Sequence, residues 1–153
     1  MLLLAFLIGV VAGLRSLTAP AVVAWAAHRD WLNLHGSPLS FMGSSAAVGI
    51  FTALAVFELV ADQLPSTPSR TKPAGLGARI VLGALSGASV AASASQSIAF
   101  GGVAGAAGGV VGAFAGYEAR TRLVRALKVP DFVIASLEDA VAIAAGLFIV
   151  SRS

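Results

Sequence analysis

The chain contains no cysteine among its 153 residues, and only 11% of those residues are charged. The absence of cysteine excludes disulfide bonds and thiolate metal sites. Soluble domains carry about 25% charged residues, so the low charge argues against a soluble protein. A soluble fold of this length also has too small an interior to bury a composition that is 58% hydrophobic. The sequence therefore predicts a protein that is surrounded by lipid.

The apolar residues are chiefly Ala, Val, Leu, Ile and Gly, and the mean hydropathy is +0.91. They form continuous runs, whereas the strands of a membrane barrel alternate polar and apolar residues. A helix needs about 20 apolar residues to cross a bilayer. We therefore expect an all-α, polytopic membrane helix bundle in one domain (1–153), with about five transmembrane helices at residues 1–27, 44–64, 78–97, 101–117 and 132–150.

The first run is interrupted near its middle by Arg15 and Pro20. Proline removes a helical hydrogen bond and clashes with the preceding turn. The run therefore forms either a kinked helix that crosses the membrane or a re-entrant hairpin of two half-helices. Broken helices at membrane depth need protein or a wet cavity to satisfy their backbone groups. We favour the kinked helix; a re-entrant hairpin would place the N-terminus on the other side.

Basic residues are concentrated in two of the loops between the runs. Cytoplasmic loops of membrane proteins carry an excess of Lys and Arg. With five spans, the loops 65–79 and 118–131 lie on one side of the membrane, which places the N-terminus in the cytoplasm and the C-terminus outside. This side has seven basic residues, against two (Arg29 and Arg152) on the other: Arg70, Lys72, Arg79, Arg120, Arg122, Arg125 and Lys128.

The fourth run carries glycines at intervals of four residues. Small residues at this spacing let helix backbones approach closely. The pattern predicts tight packing against a helix of this chain or of another subunit, and we expect a homo-oligomer. The two series are Gly101, Gly105 and Gly109, and Gly108, Gly112 and Gly116.

The third run carries four serines, at spacings of three, four and four residues, which places them on one helical face. They could line a polar pathway. Alternatively, they are small packing residues that bond to their own backbone. The four are Ser86, Ser89, Ser93 and Ser97.

Ionisable residues occur where the membrane is expected. Such groups are costly in a bilayer and face the protein interior or water. Carboxylates on several helices could bind a cation or carry protons, with the arginine as their counter-ion. Alternatively, the charges pair and only hold the bundle together. The candidate ion- or substrate-binding residues are Arg15, Glu58, Asp62, Glu118, Glu138 and Asp139.

The loop after the second run combines hydroxyls with two cations on a segment that Pro65 and Pro68 stiffen. This chemistry suits a phosphate, either of a lipid headgroup or of a solute. An ordinary cytoplasmic loop is the alternative. The candidate anion-binding residues are Ser66, Thr67, Ser69, Arg70 and Lys72.

Other functional classes find little support. His28 and His35 are seven residues apart without a nearby cysteine, so no metal site is predicted. The glycine-rich run lacks the preceding strand of a dinucleotide-binding motif, and no cofactor is expected. No nucleophile–base pair stands out, which predicts that the protein is not an enzyme. The basic loops are explained by membrane topology, so nucleic acid is not an expected partner.

Several motifs together resemble the bacterial membrane proteins of the family called domain of unknown function 4126. The resemblance covers nearly the whole chain and implies a small helical membrane protein, but no activity. The expected location is the inner membrane of a bacterial cell. It rests on Gly13-Leu14-Arg15-Ser16 with Thr18 and Pro20, Phe57-Glu58-Leu59, Leu64 through Arg70, Gly116-Tyr117-Glu118-Ala119-Arg120, and Pro130-Asp131 through Glu138-Asp139.

From these residues we expect a transporter or channel for a small ion or solute. Glu58, Glu138 and Asp139 would bind charge, and Arg15 would neutralise one of them. The first alternative is a binding protein or flippase for phosphate-bearing lipid, with Arg15, Arg70 and Lys72 at the headgroup. The second alternative is a structural scaffold or assembly factor.

Overall fold

A computed structural model describes residues 1–61 and 73–153. The described residues form α-helices, turns and one short 3-10 helix, Ser40–Gly43, without a strand. This confirms the predicted all-helical bundle. The helices are α1 (Leu2–Leu14), α2 (Thr18–His28), α3 (Ser45–Ala61), α4 (Pro73–Ser93), α5 (Ile98–Leu127) and α6 (Asp131–Ser151).

Three of the described helices, α4, α5 and α6, are long and apolar enough to cross a membrane. The protein is therefore a helical membrane protein.

α3 has 17 residues and is about 25 Å long at 1.5 Å per residue. Two of the observed helices extend beyond the predicted spans by five residues or more. α4 begins at Pro73 instead of residue 78, and α5 continues to Leu127 instead of ending at residue 117.

α5 packs closely against both α1 and α4, which also contact each other. A Cβ at Gly13 of α1 would lie 2.5 Å from the carbonyl oxygen of Gly109, and a Cβ at Gly87 of α4 would lie 2.5 Å from that of Gly101. Real Cβ atoms essentially never come this close to another heavy atom, so these backbones meet only because the residues are glycines. The close packing predicted from the glycine spacing is therefore found within the chain. The homo-oligomer stays a prediction.

The first apolar run is not one helix. α1 ends at Leu14 and α2 begins at Thr18, and Arg15 between them has an extended backbone with φ −139° and ψ 107°. We call residues 15–17 the break. At 13 and 11 residues, the two helices are about 20 Å and 16 Å long. Each is too short to cross a hydrocarbon core of about 30 Å.

The contacts of the two short helices show their directions. Along α1, Gly9 meets Gly105 and Gly13 meets Gly109, so α1 runs parallel to α5. Arg15, three residues before α2, contacts Asp139, and Val22 within α2 lies against Gly146. α2 therefore runs parallel to α6.

α5 and α6 are joined by the three-residue turn 128–130, and Arg120, seven residues before the end of α5, bonds to Asp131 at the start of α6. The two helices therefore run in opposite directions. Since α1 runs parallel to α5 and α2 runs parallel to α6, the chain reverses its direction at the break. This arrangement favours the re-entrant hairpin over the kinked crossing helix.

The two remaining helices, α3 and α4, each run antiparallel to a helix that they contact. α4 runs antiparallel to α5, because Arg79 lies at Gly109 and Gly87 lies at Gly101. α3 runs antiparallel to α2, since Trp25 donates to Thr52 while the break contacts the far end of α3. The break thus points towards the end of the bundle that carries the start of α4 and the turn 128–130. We call this the basic end.

Candidate functional site

Glu58 of α3 binds the second half of the break. The carboxylate is buried and accepts hydrogen bonds from the backbone N–H of Ser16 at 2.7 Å, from the Ser16 hydroxyl at 2.6 Å and from the backbone N–H of Leu17 at 2.8 Å. The first N–H groups of a helix lack partners within it and carry a partial positive charge. Glu58 therefore caps the N-terminal end of α2 from a neighbouring helix.

Arg79 of α4 binds the first half of the break. Its Nε donates to the carbonyl oxygen of Gly13 at 3.0 Å, and its Nη1 donates to that of Gly75 at 3.1 Å. The last carbonyls of a helix also lack partners, so Arg79 caps α1. The guanidinium lies 3.9 Å from the Glu58 carboxylate. One ion pair thus satisfies backbone groups on both sides of the break.

The side chain of Arg15 leaves the break in another direction, towards α6. It is fully buried and donates from Nε to the carboxylate of Asp139. Its Nη2 donates to the carbonyl oxygen of Ala135 at 3.2 Å and lies 3.9 Å from the Glu138 carboxylate. Arg15 therefore fixes the break to the middle of α6.

Arg120 of α5 continues this set of charges towards the basic end. Its Nε donates to Asp131 at 2.9 Å, and its Nη1 lies 3.7 Å from Glu138. The carboxylate of Glu138 thus lies within 4 Å of both Arg15 and Arg120. We call the whole set the charge cluster: Arg15, Glu58, Arg79, Arg120, Asp131, Glu138 and Asp139.

One known protein family matches nearly the whole chain. The family described as "Domain of unknown function (DUF4126)" matches residues 2–151 of the chain. The chain belongs to this family. Neither a curated protein nor a solved structure matches it. The match includes the break and the whole charge cluster of this DUF4126 member, and the family's description assigns no activity to them.

Three of the predicted site residues meet in this DUF4126 protein, because Arg15 contacts both Glu138 and Asp139. Glu58 lies in the other part of the charge cluster, where it contacts Arg79. Glu118 does not join them, because its side chain is 63% exposed and pairs with Arg122 at 3.3 Å, one helical turn away. Asp62 lies outside the described residues, as do the candidate anion-binding residues Ser66, Thr67, Ser69, Arg70 and Lys72.

The four serines do not share one helical face. Ser97 lies beyond the end of α4 and caps α5, where its hydroxyl accepts from the backbone N–H of Phe100. The prediction of a single face is therefore wrong for Ser97, because a turn separates it from α4. Ser89 and Ser93 donate to the carbonyls of Leu85 and Val90 of their own helix. The fully buried hydroxyl of Ser86 has no hydrogen-bond partner within residues 1–61 and 73–153.

Within the described ranges, no group of three or more His, Cys, Asp or Glu side chains is arranged so that it could hold a metal ion. The Nδ1 atom of His28 lies 2.9 Å from the carbonyl oxygen of Gly43. His35 is exposed and lies 3.5 Å from Asp30. Both contacts belong to the connection between α2 and α3.

Four residues that make contacts in the cluster or at the break were not among the predicted site residues: Ser16, Arg79, Arg120 and Asp131. Arg79 and Arg120 were assigned to loops, where basic residues are explained by topology alone. The signal that could have found them is distance from the loop. Arg79 lies six residues inside α4, and Arg120 lies seven residues before the end of α5.

Proposed function

We propose that this protein is a transporter or channel that moves protons or a small cation across the membrane. The observation that carries the proposal is the break, which interrupts the first apolar run with non-helical backbone and places the buried side chain of Arg15 against two carboxylates of α6. Irregular backbone at membrane depth is found where it is buried in protein or lines a cavity. Broken helices of this kind form the binding sites of many transporters.

The charges of the cluster favour a cation or a proton as the substrate. At the inner end of the cluster, two carboxylates lie beside Arg15, those of Glu138 and Asp139. Their side chains are only 10% and 13% exposed. A proton or a cation could bind at this pair of carboxylates. A phosphate would instead have to displace Asp139 and Glu138 from Arg15, so the lipid-binding alternative is less favoured.

The proposal gives different roles to the two halves of the cluster. Glu58 and Arg79 hold the break through backbone hydrogen bonds. Glu138 and Asp139 bind the proton or cation, and Arg15 is their counter-ion. The unpartnered hydroxyl of Ser86 supports a polar pathway along α4, since buried hydroxyls normally have partners.

Transport is tested by cation and proton flux into proteoliposomes that contain the purified protein. We expect flux of H⁺, Na⁺ or K⁺ in the unchanged protein and a loss of about 100-fold in Asp139→Asn, because the amide neither carries a charge nor exchanges a proton at neutral pH. Glu118→Gln is the matched control, since Glu118 is an exposed carboxylate outside the cluster. It should keep its flux.

The proposal fails if the unchanged protein conducts none of these ions, or if Asp139→Asn and Glu118→Gln conduct equally. A structural scaffold is the second candidate, supported by the hydrogen bonds through which Glu58 and Arg79 hold the break. Under that alternative no flux appears, and variants of the cluster only lose stability.

We further propose that both ends of the described chain lie on the periplasmic side of the cytoplasmic membrane of a bacterial cell. The opposite directions of α1 and α2 support this orientation, as does the excess of basic residues at the basic end, which the positive-inside rule places in the cytoplasm. The start of α1 is then outside, contrary to our expectation from the sequence. The C-terminus keeps its predicted side.

Reporter fusions test the orientation. A periplasm-active reporter should be active when it is fused before Leu2 and also when it is fused after Ser153. A cytoplasm-active reporter should be inactive at both positions. Opposite results at the two ends would support a crossing first helix and contradict the re-entrant hairpin. A fusion within the turn 128–130 is the control and should report the cytoplasm.

A further inference from the structure

Part of the charge cluster forms an ordered series from the surface to the interior. The exposed fraction of the side chain falls from 60% for Asp131 to 17% for Arg120, 10% for Glu138 and zero for Arg15. Negative and positive charges alternate along this series. It begins at the basic end and leads to the break, so it marks a route from that end to the proposed binding residues.

The series lies at the seam between α5 and α6, which is built differently from the other contacts of α5. From Gly101 to Gly112, the closest approaches of the glycines of α5 are to α1 and α4. The glycine of α6, Gly146, lies against Val22 of α2. Arg120 joins α5 to α6 by its contacts with Asp131 and Glu138. Ion pairs can separate and re-form more readily than close-packed backbones.

Arg120 contacts α6 on both sides of a buried position. Asp131, Ala135 and Glu138 are four and three residues apart and lie on one helical face. Arg120 contacts the first and the third of them. Ala135, between them, is fully buried, and its carbonyl oxygen accepts from Arg15.

We propose that Arg120 is a positioning residue that closes the α5–α6 seam over Glu138, and that the proton or cation reaches the cluster through this seam from the basic end. The inference rests on the proposed function for its substrate class. The route itself is a property of the fold. When Arg120 leaves Asp131 and Glu138, the face of Asp131, Ala135 and Glu138 becomes accessible, and Arg15 stays with Asp139.

The labelling rate of a thiol at position 135 tests the seam without requiring flux. The chain has no cysteine, so Ala135→Cys introduces a single thiol. The probe is 2-aminoethyl methanethiosulfonate, a small cation, added to the protein in lipid nanodiscs. We expect labelling about ten-fold faster when Ala135→Cys is combined with Arg120→Gln, because the seam then opens more often. Arg120→Lys, which keeps the charge, should restore much of the protection.

Arg122→Gln is the matched control, because Arg122 is exposed and pairs with Glu118 outside the seam. It should leave the labelling rate unchanged. Asp131→Asn weakens the contact between Arg120 and the exposed Asp131, so it should also speed labelling. This second variant tests the seam if Arg120→Gln does not fold. Equal rates in the Arg120, Asp131 and Arg122 variants would overturn the proposal. Faster labelling in a protein without ion flux would retain the seam and reject transport.

Discussion

Replacing Arg15 with methionine is expected to lower the free energy of unfolding by roughly 3–5 kcal/mol, the cost of removing one partner of a buried ion pair. Arg15 is fully buried and binds Asp139 and the carbonyl oxygen of Ala135. Methionine keeps much of the side-chain volume, so the loss reports the charge and not a cavity. The carboxylate of Asp139 would remain in the interior without the hydrogen bond from Arg15.

The measurement is unfolding of the purified protein in mild detergent, followed by circular dichroism. Arg122→Met removes an exposed arginine from the pair with Glu118 and should cost less than about 0.5 kcal/mol. The double variant Arg15→Met with Asp139→Leu removes both charges and should recover much of the lost stability. Equal losses for Arg15→Met and Arg122→Met would show that the pair does not hold the break to α6.

Replacing Gly105 with alanine is expected to cost about 3 kcal/mol, near the upper end of the range for overpacked interiors. Gly105 lies between two helices. An added methyl group would overlap the carbonyl oxygen of Gly83 on one side and lie 3.0 Å from the Cα of Gly87. On its other side, α1 approaches through Gly9. Since the methyl group would meet backbone atoms of α4, no side chain can rotate away to make room for it.

Gly102→Ala is the matched control on the same helix. A methyl group there would meet its nearest neighbours at 3.7 Å, which is ordinary van der Waals contact. This variant should be neutral or more stable by up to about 1 kcal/mol, because alanine favours helices over glycine. Thermal stability measured by fluorescence-detected size-exclusion chromatography compares the two. Similar melting temperatures for both variants would contradict the close packing of α5.

The break in the first run was predictable from Arg15 and Pro20, but its position depends on how proline is tolerated. Pro20 is the third residue of α2, in the first turn, where a missing N–H costs no helical hydrogen bond. The chain therefore breaks just before the proline's own turn and leaves Arg15 outside both helices.

The direction of α2 could not be predicted from the first run alone. A kinked helix and a hairpin have the same local sequence, and the choice depends on distant partners. Glu58 is 41 residues from Leu17, and Arg79 is 66 residues from Gly13. These residues make the break stable by capping both of its helix ends. Before the fold is known, nothing in their spacing shows that they meet.

The basic residues illustrate a second limit of the sequence. Counting Lys and Arg gives a topology, and each basic residue near the end of a span is then already explained. The positive-inside rule does not exclude a second role. Arg79 and Arg120 lie inside helices that extend further than hydropathy indicated, and their long side chains reach the break and α6. The carboxylates of Glu58, Glu138 and Asp139 were easier to single out, because acidic residues inside a span have no role in topology.

The distance between the two ends of the first apolar run tests the re-entrant hairpin most directly. The double variant Leu3→Cys with Arg29→Cys allows spin labels to be attached at two exposed positions of a cysteine-free chain. Pulsed electron–electron double resonance of the labelled protein in nanodiscs measures the distance between the labels. The hairpin predicts about 25 Å or less, since neighbouring helix axes lie about 8–10 Å apart. A continuous helix through the same residues would give about 40 Å at 1.5 Å per residue and would contradict the hairpin and the orientation based on it.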